Sequence, residues 1–195
     1  VVAGTLSGSS GIRLVDREAP VAAVLVFDTA PRMEYRYQNK TRLEASQEIA
    51  LWLIRQFPPD SQVGVLDSRP GPAVFAVDLA AAKKAVERLR TTGIPDTLPE
   101  VLERALSLVL TSQHAGKEIY VLSDLSAASW PPDSHNALAS QLSRSPEVSL
   151  YVVDVGVRDP RNFALGALSL SAQSLTNNGE LVLETDLRAT GTGGV

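Results

Sequence analysis

Two aspartates close two apolar runs. Asp28 follows Val21-Ala22-Ala23-Val24-Leu25-Val26-Phe27, and Asp124 follows Ile119-Tyr120-Val121-Leu122-Ser123. A short apolar run that ends in a polar residue reads as a buried strand. Open α/β sheets form their ligand crevices at the carboxyl ends of such strands. Two carboxylates at one sheet edge suit a hard divalent cation, since Mg2+ seeks a near-octahedral set of oxygens at ~2.1 Å. The residues after Asp28 work against that cation. In Asp28-Thr29-Ala30-Pro31-Arg32, Ala30 has no side-chain oxygen and Arg32 carries a permanent positive charge. Turned inward, Arg32 would take the cation's place beside Asp28 or Asp124. Turned outward, it would leave the oxygen set incomplete. Each residue also has a plainer role open to it. Asp28 and Asp124 can cap a helix or turn, and Thr97, before the apolar helix pattern from Leu98, can be an N-cap.

The elements that must position these residues alternate along the chain. Val21 to Asp28 reads as a strand. Thr41 to Phe57 reads as a helix, with Leu43, Ala50, Leu53, Ile54 and Phe57 on one face and Pro58-Pro59 stopping it. Gln62 to Asp67 is a strand, and Ala73 to Val77 is placed to pair with it as an antiparallel edge. Helices follow over Leu79 to Arg90 and Leu98 to Ser112, the second with Pro99 in its first turn. Lys117 to Asp124 is a strand, Ser134 to Ser143 a helix and Val148 to Val155 a strand. This order predicts an α/β fold: a doubly wound, mostly parallel sheet with one antiparallel edge strand and helices on both faces, over residues 20–159. Residues 1–19 read as a flexible Gly- and Ser-rich segment. Over 160–195 the pattern changes to two alternating stretches around Asn177-Asn178-Gly179, a β-hairpin. It reads either as the start of a β-sandwich-like module that runs on past Val195 or as a local extension of the first domain.

Bulk composition removes several function classes. Of 195 residues, 44% are hydrophobic and 21% charged, ordinary for a globular chain with a real core. A net charge of −4 argues against nucleic acid or an anionic membrane as the main partner. The absence of cysteine removes disulfides, thiolate metal sites and a Cys nucleophile. No apolar run approaches the ~20 residues that span a bilayer. The chain starts without Met or a signal peptide, as expected for a soluble region excised from a longer protein. The two histidines, His114 and His135, stand near no Ser in a nucleophile elbow. Asp-x-Asp after the first strand, an acidic pair with a later Lys, and Gly-x-Gly-x-x-Gly are all missing. No enzymatic activity is expected.

The order and spacing of Asp28-Thr29-Ala30-Pro31-Arg32, Asp96-Thr97-Leu98 and Leu122-Ser123-Asp124-Leu125 resemble the von Willebrand factor type A (VWA) family over residues 20–157. That resemblance implies a metal-ion-dependent adhesion site built from three loops: Asp-x-Ser-x-Ser, a Thr and an Asp. Asp28, Thr97 and Asp124 match, whereas Ala30 and Arg32 replace the two serines that would bind the cation directly. The site is therefore read as degenerate, with no cofactor. The alternative is Mg2+ or Mn2+ held by Asp28, Thr97 and Asp124, with water or Thr29 supplying the missing oxygens. Gly-Ile-Arg-Leu-Val-Asp-Arg-Glu-Ala-Pro-Val-Ala-Ala-Val-Leu-Val, together with the later β segment, is similar to bacterial membrane-anchored VWA proteins of the aerotolerance-operon type. This likeness implies a parent chain anchored in the cytoplasmic membrane, with this region outside it.

The resulting expectation is a non-catalytic protein–protein interaction or scaffold module. Arg32 and Trp130 are its candidate partner contacts: Arg32 as a bidentate acceptor of a carboxylate, Trp130, beside Pro131-Pro132, as an aromatic anchor. The plain alternative for Trp130 is to fold back on a helix edge. A metal-dependent adhesion module is the second reading, and a hydrolase using the two carboxylates with a metal is the third.

Overall fold

A computed structural model of the chain describes residues 19–131, 135–158, 160–170 and 182–191. The Gly- and Ser-rich reading of residues 1–19 lies, apart from Ala19, outside these residues. The chain divides into two compact units, Val1–Gly156 and Val157–Val195. No helix among the described residues is long and apolar enough to cross a membrane.

The first unit is organised by strand β1 (Val21–Phe27), all of whose residues are buried. Side chains alternate across a strand, so β1 serves two cores. Val21, Ala23, Leu25 and Phe27 enter one apolar layer, and Ala22, Val24 and Val26 enter the other. A run without polar residues is what a strand covered on both faces requires. After a 3-10 turn at Pro31–Glu34 come the short strands β2 (Arg36–Tyr37) and β3 (Lys40–Thr41), then helix α1 (Arg42–Gln56). Strand β4 (Gln62–Asp67), helices α2 (Leu79–Glu87) and α3 (Leu98–Leu110), strand β5 (Gly116–Ser123), helix α4 (His135–Ser143) and strand β6 (Val148–Asp154) complete the unit.

The sheet order is β4-β1-β5-β6, and every pairing is parallel. Helices α1 and α2 bury Leu43, Ala50, Leu53, Ile54, Ala82 and Val86 in the first layer. Helix α3 fills the second with Leu98, Val101, Leu102, Ala105 and Val109, and Leu138 of α4 joins it. The fold is α/β with helices on both faces of a parallel sheet, as the element order implied.

Two local features differ from the sequence reading. The antiparallel edge over 73–77 shrinks to one bridge, Gly64 with Phe75, and one further bond from the Ala76 N–H to the Val63 carbonyl at 2.9 Å. Pro70 and Pro72 have no N–H to give, and Asp78 already caps α2 by accepting the Ala81 N–H at 2.6 Å. Little chain remains between them to pair. A Cβ on Gly64 would stand 3.5 Å from the Val74 carbonyl of this segment and 2.8 Å from Leu108 Cδ2 on the helix side. The β2–β3 hairpin was not foreseen. Its two turn residues, Gln38 and Asn39, take left-handed φ values of 48° and 63°. That is the geometry of a two-residue hairpin loop, without the Asn-Gly pair that usually announces it.

In the second unit, β7 (Asn162–Leu165) pairs antiparallel with β10 (Leu187–Thr190), and β8 (Ser169–Leu170) with β9 (Leu183–Glu184). Residues 166–168 face 185–186, so the ribbon carries one extra residue on its first strand, a β-bulge. Gly166 sits there, its N–H donating to the Asp186 carbonyl at 2.7 Å. The expected turn at Asn177-Asn178-Gly179 lies outside the described residues. Phe163, Leu165 and Leu187 share one face of the ribbon and are exposed.

Candidate functional site

Asp28 and Asp124 are brought to the same sheet edge because β1 and β5 are neighbours in register, Phe27 opposite Leu122. The Asp28 N–H continues the ladder to the Leu122 carbonyl at 3.0 Å. The 3-10 turn at Pro31–Glu34 then bends the chain back over these strand ends. Met33, fully buried, fastens the turn to the first core layer. Its neighbour Arg32 is thereby aimed inward.

The Arg32 guanidinium lies between the two carboxylates. Its Nη2 pairs with Asp28 Oδ2 and also reaches Ser129 Oγ, and its Nε donates to Asp124 Oδ1 at 2.9 Å. A second cation completes the cluster: Arg42 Nη1 donates to Asp124 Oδ2 at 2.6 Å and to the Arg32 carbonyl at 3.4 Å. The Tyr35 ring covers the Arg42 guanidinium at 4.7 Å. Asp28, with no solvent exposure, also accepts the Ala30 N–H at 3.1 Å and the hydroxyls of Ser123 and Ser129, each at 2.9 Å. The Ser126 N–H adds to Asp124 at 3.2 Å. Leu125, between these partners, takes a left-handed φ of 54° and donates its N–H to Ser123 Oγ at 3.1 Å. That conformation is strained for a residue with a Cβ.

Two carboxylates facing two guanidiniums leave the cluster with no net charge. Burying carboxylates this deeply is costly unless they are paired and hydrogen-bonded, and here both are. Chemically, the arrangement holds three loops together: β1 to the 3-10 turn, α1 to the β5 loop, and that loop back to Asp28.

The other candidate residues lie elsewhere. Thr97 caps α3, giving its hydroxyl to Glu100 Oε2 at 2.7 Å, while its N–H reaches the same oxygen at 2.8 Å. It shares no hydrogen bond with Asp28, Arg32 or Asp124. The Thr97 hydroxyl and its N–H hold the Glu100 carboxyl below the ordinary carboxylate range, and the Arg104 charge adds to this. Thr29 is committed to Ser68: the Thr29 N–H donates to Ser68 Oγ at 3.2 Å, and the Ser68 N–H to Thr29 Oγ1 at 3.3 Å. Ala30 is buried and contributes only its backbone. Trp130 is half-buried, packed against the layer that holds Val24 and Leu98.

A hard divalent cation therefore meets a donor set that does not fit it. Both carboxylates already face guanidiniums, Ala30 has no oxygen to give, and the Thr29 and Thr97 hydroxyls are engaged elsewhere. No three acidic or histidine side chains come together as metal ligands among the described residues.

The sequence reading passed over Arg42, Ser123 and Ser129. Arg42 left a signal. It is the first residue of α1, where the helix dipole disfavours a cation, and a basic residue there implies a nearby acid. The two serines left none, since nothing in their spacing separates them from ordinary loop residues.

No family model matches the chain, and no curated protein does. Among solved structures the chain is similar to a von Willebrand factor type A protein from Catenulispora acidiphila, with a TM-score of 0.54 and 21% identity over 69% of this chain and 33% of that one. A looser likeness, TM-score 0.46 and 19% identity, links 54% of the chain to 20% of a structure of three N-terminal domains of the type V pili tip protein Mfa5 from Porphyromonas gingivalis. The chain spans about a third of the length of the first of these proteins and a fifth of the second. The first likeness is one of fold: the sheet and its helices are VWA-like.

Proposed function

We propose that this chain is a non-catalytic protein–protein interaction module in which an internal guanidinium, that of Arg32, stands in for the divalent cation of an adhesion site. The observation that carries this reading is the placement of Arg32 between Asp28 and Asp124. A VWA-like fold suits an interaction or adhesion role at a coarse level. In the proposal, the site is a degenerate metal-ion-dependent adhesion site, and binding needs no metal. Arg32 is about a quarter exposed, and its Nη1 makes no hydrogen bond among the described residues. That donor is open to a carboxylate on a protein partner. The proposal extends to the parent protein: a bacterial chain of the aerotolerance type, anchored in the cytoplasmic membrane, with this region outside it. The stretch from Gly11 to Val26 supports that extension through the resemblance given above.

The test is a thermal-melt titration with Mg2+, Mn2+ and Ca2+ against chelator, on the wild type and on the double variant Ala30→Ser/Arg32→Ser. A ligand that binds only the native state at 100 times its Kd adds about 2.7 kcal/mol, a clear shift in Tm. The wild type is expected to melt at the same temperature with and without metal, and the double variant to gain a metal-dependent shift. A shift in the wild type would overturn the reading and restore a metal-dependent adhesion module. Once a partner is identified, unchanged binding by Arg32→Ala would remove Arg32 from its recognition.

A further inference from the structure

The two edges of the sheet are not alike. On the β4 side, the 73–77 segment lies across the strand, giving the Ala76 N–H to the Val63 carbonyl and bridging Gly64 to Phe75. On the β6 side, no strand pairs with the outer edge of Val148–Asp154 among the described residues. Edge strands are normally guarded by Lys, Pro or a bulge. β6 has none of these: Val-Ser-Leu-Tyr-Val-Val-Asp pairs with β5 residue for residue, from Val148 opposite Lys117 to Asp154 opposite Ser123. A groove of about 600 Å³ runs along this edge. Consecutive residues of the strand line it, Val148, Ser149, Leu150 and Tyr151, with Leu142 and Pro146 as its outer wall. Because successive side chains point to opposite faces, a groove lined by all four follows the backbone edge itself.

We propose that this edge is a self-association surface: β6 pairs antiparallel with β6 of a second copy about a two-fold axis at Tyr151, joining two four-stranded sheets into one. Three observations choose a second copy as the occupant. First, an aromatic row crosses the sheet toward this edge and stops at it. Phe57 lies 6.2 Å from Tyr120, and Tyr120 stacks on Tyr151 at 4.9 Å and 17°. A two-fold at Tyr151 sets Tyr151 against its own counterpart, and the row continues into the second copy. Second, this register sets an apolar pair, Leu150 and Val152, beside the axis. Ser149 then meets Val153 and Val148 meets Asp154, each pair on a shared face. Third, the one charge in the strand, Asp154, falls opposite Val148, so no like charges meet across the new ladder, which cross-strand pairing requires. An isologous contact of this kind closes after two copies and does not run on into fibres.

Sedimentation of the 195-residue chain over a concentration series is the first test. A dimer mass that gives way to monomer on dilution is expected. Ser149→Lys, at an exposed edge position, is expected to sediment as monomer while keeping the wild-type circular dichroism and the Tm that the wild type shows when diluted to monomer. Position 151 reads out the register directly, because the chain has no cysteine of its own. Tyr151→Cys is expected to form a disulfide dimer under mild oxidation, since facing residues stand about 4.5–5.5 Å apart at Cα, within disulfide reach. Ser149→Cys is the control. In this register it lies about 13 Å from its own counterpart and stays uncrosslinked. A wild type that remains monomeric up to about 1 mM, the weak end of specific association, overturns the proposal. So does equal crosslinking at 149 and 151, or a monomer that instead takes up an added extended peptide along β6.

Discussion

The carboxyl ends of β1 and β5 and the outer side of β6 are two places where this sheet could meet another molecule, and they are finished in opposite ways. At the strand ends the fold encloses two carboxylates and then answers them from within. Asp28 has Arg32, Ser123, Ser129 and the Ala30 N–H, and Asp124 has Arg32, Arg42 and the Ser126 N–H. At β6 the side chains are ordinary, but one side of the backbone ladder ends without a partner strand among the described residues. A buried charge left alone costs far more than an exposed peptide group that water can solvate. The first region therefore had to be closed by the chain itself, while the second can wait for another molecule. The position that looks most like a binding site in the sequence is accordingly the better satisfied of the two.

This contrast can be broken first at Met33. Its side chain is fully buried and holds the turn that aims Arg32. Met33→Ala is expected to cost about 2–5 kcal/mol, as burial lost plus a cavity, read from the denaturant midpoint. A loss below that range would mean the turn is held by its ion pairs and not by its plug. Next comes Arg32→Ala. Breaking a buried ion pair from one side costs about 3–5 kcal/mol. Because Arg32 is a quarter exposed and Asp124 keeps Arg42, about 2–3 kcal/mol is expected here. By the same measurement, at a dilution where the wild type is monomeric, Ser149→Lys should stay within about 0.5 kcal/mol of the wild type, as surface substitutions do. Equal losses at the two positions would erase the distinction between a closed and an open region.

Much of the first unit was legible because its signals are local. Val21 to Phe27 is apolar without interruption, α1 stops before Pro58-Pro59, and α3 opens with Thr97 and Pro99. Each such pattern dictates an element irrespective of distant contacts. The partners in the polar cluster were harder to see, because they are set by three-dimensional closure. Ser129 meets Asp28 from 101 positions away and Arg42 meets Asp124 from 82, and no periodicity links such residues. Thr97 was open to two readings from the sequence. Its place in the order of motifs suggested a shared site, a Thr with a Glu three residues later is also a capping box, and the bonds to Glu100 are those of the cap.

A smaller effect sharpens the picture at Leu125, whose left-handed backbone is part of the turn that presents Asp124. Such a conformation costs an L-residue roughly 1–2 kcal/mol, part of which glycine returns through its freer unfolded chain. Leu125→Gly is therefore expected to be about 0.5 kcal/mol more stable than the wild type. Destabilisation would instead show that the half-exposed leucine side chain contributes packing that outweighs the strain.

The smallest effect concerns Thr97 and its tie to Glu100. The Thr97 hydroxyl and N–H both stabilise the ionised Glu100 carboxyl, so its folded value lies below the ordinary 4.5. Glu44 is lowered in the same way, chiefly by the Thr41 N–H, in the capping box of α1. A depressed carboxyl stabilises the fold above its unfolded value, and that contribution is lost as pH falls from 4.5 through the lowered folded value. The wild-type Tm should accordingly fall on the acid side of pH 4.5. Glu100→Gln should flatten part of that slope and leave the share that belongs to Glu44. The two carboxyls are solvent-exposed, so the change is small beside that of Arg32→Ala. If Glu100→Gln kept the full acid-side slope, the Thr97 hydroxyl would not be bound to its cap in solution. Thr97 would then again be a candidate member of the cluster at Asp28 and Asp124, and the divalent-cation titration would have to be repeated on that variant.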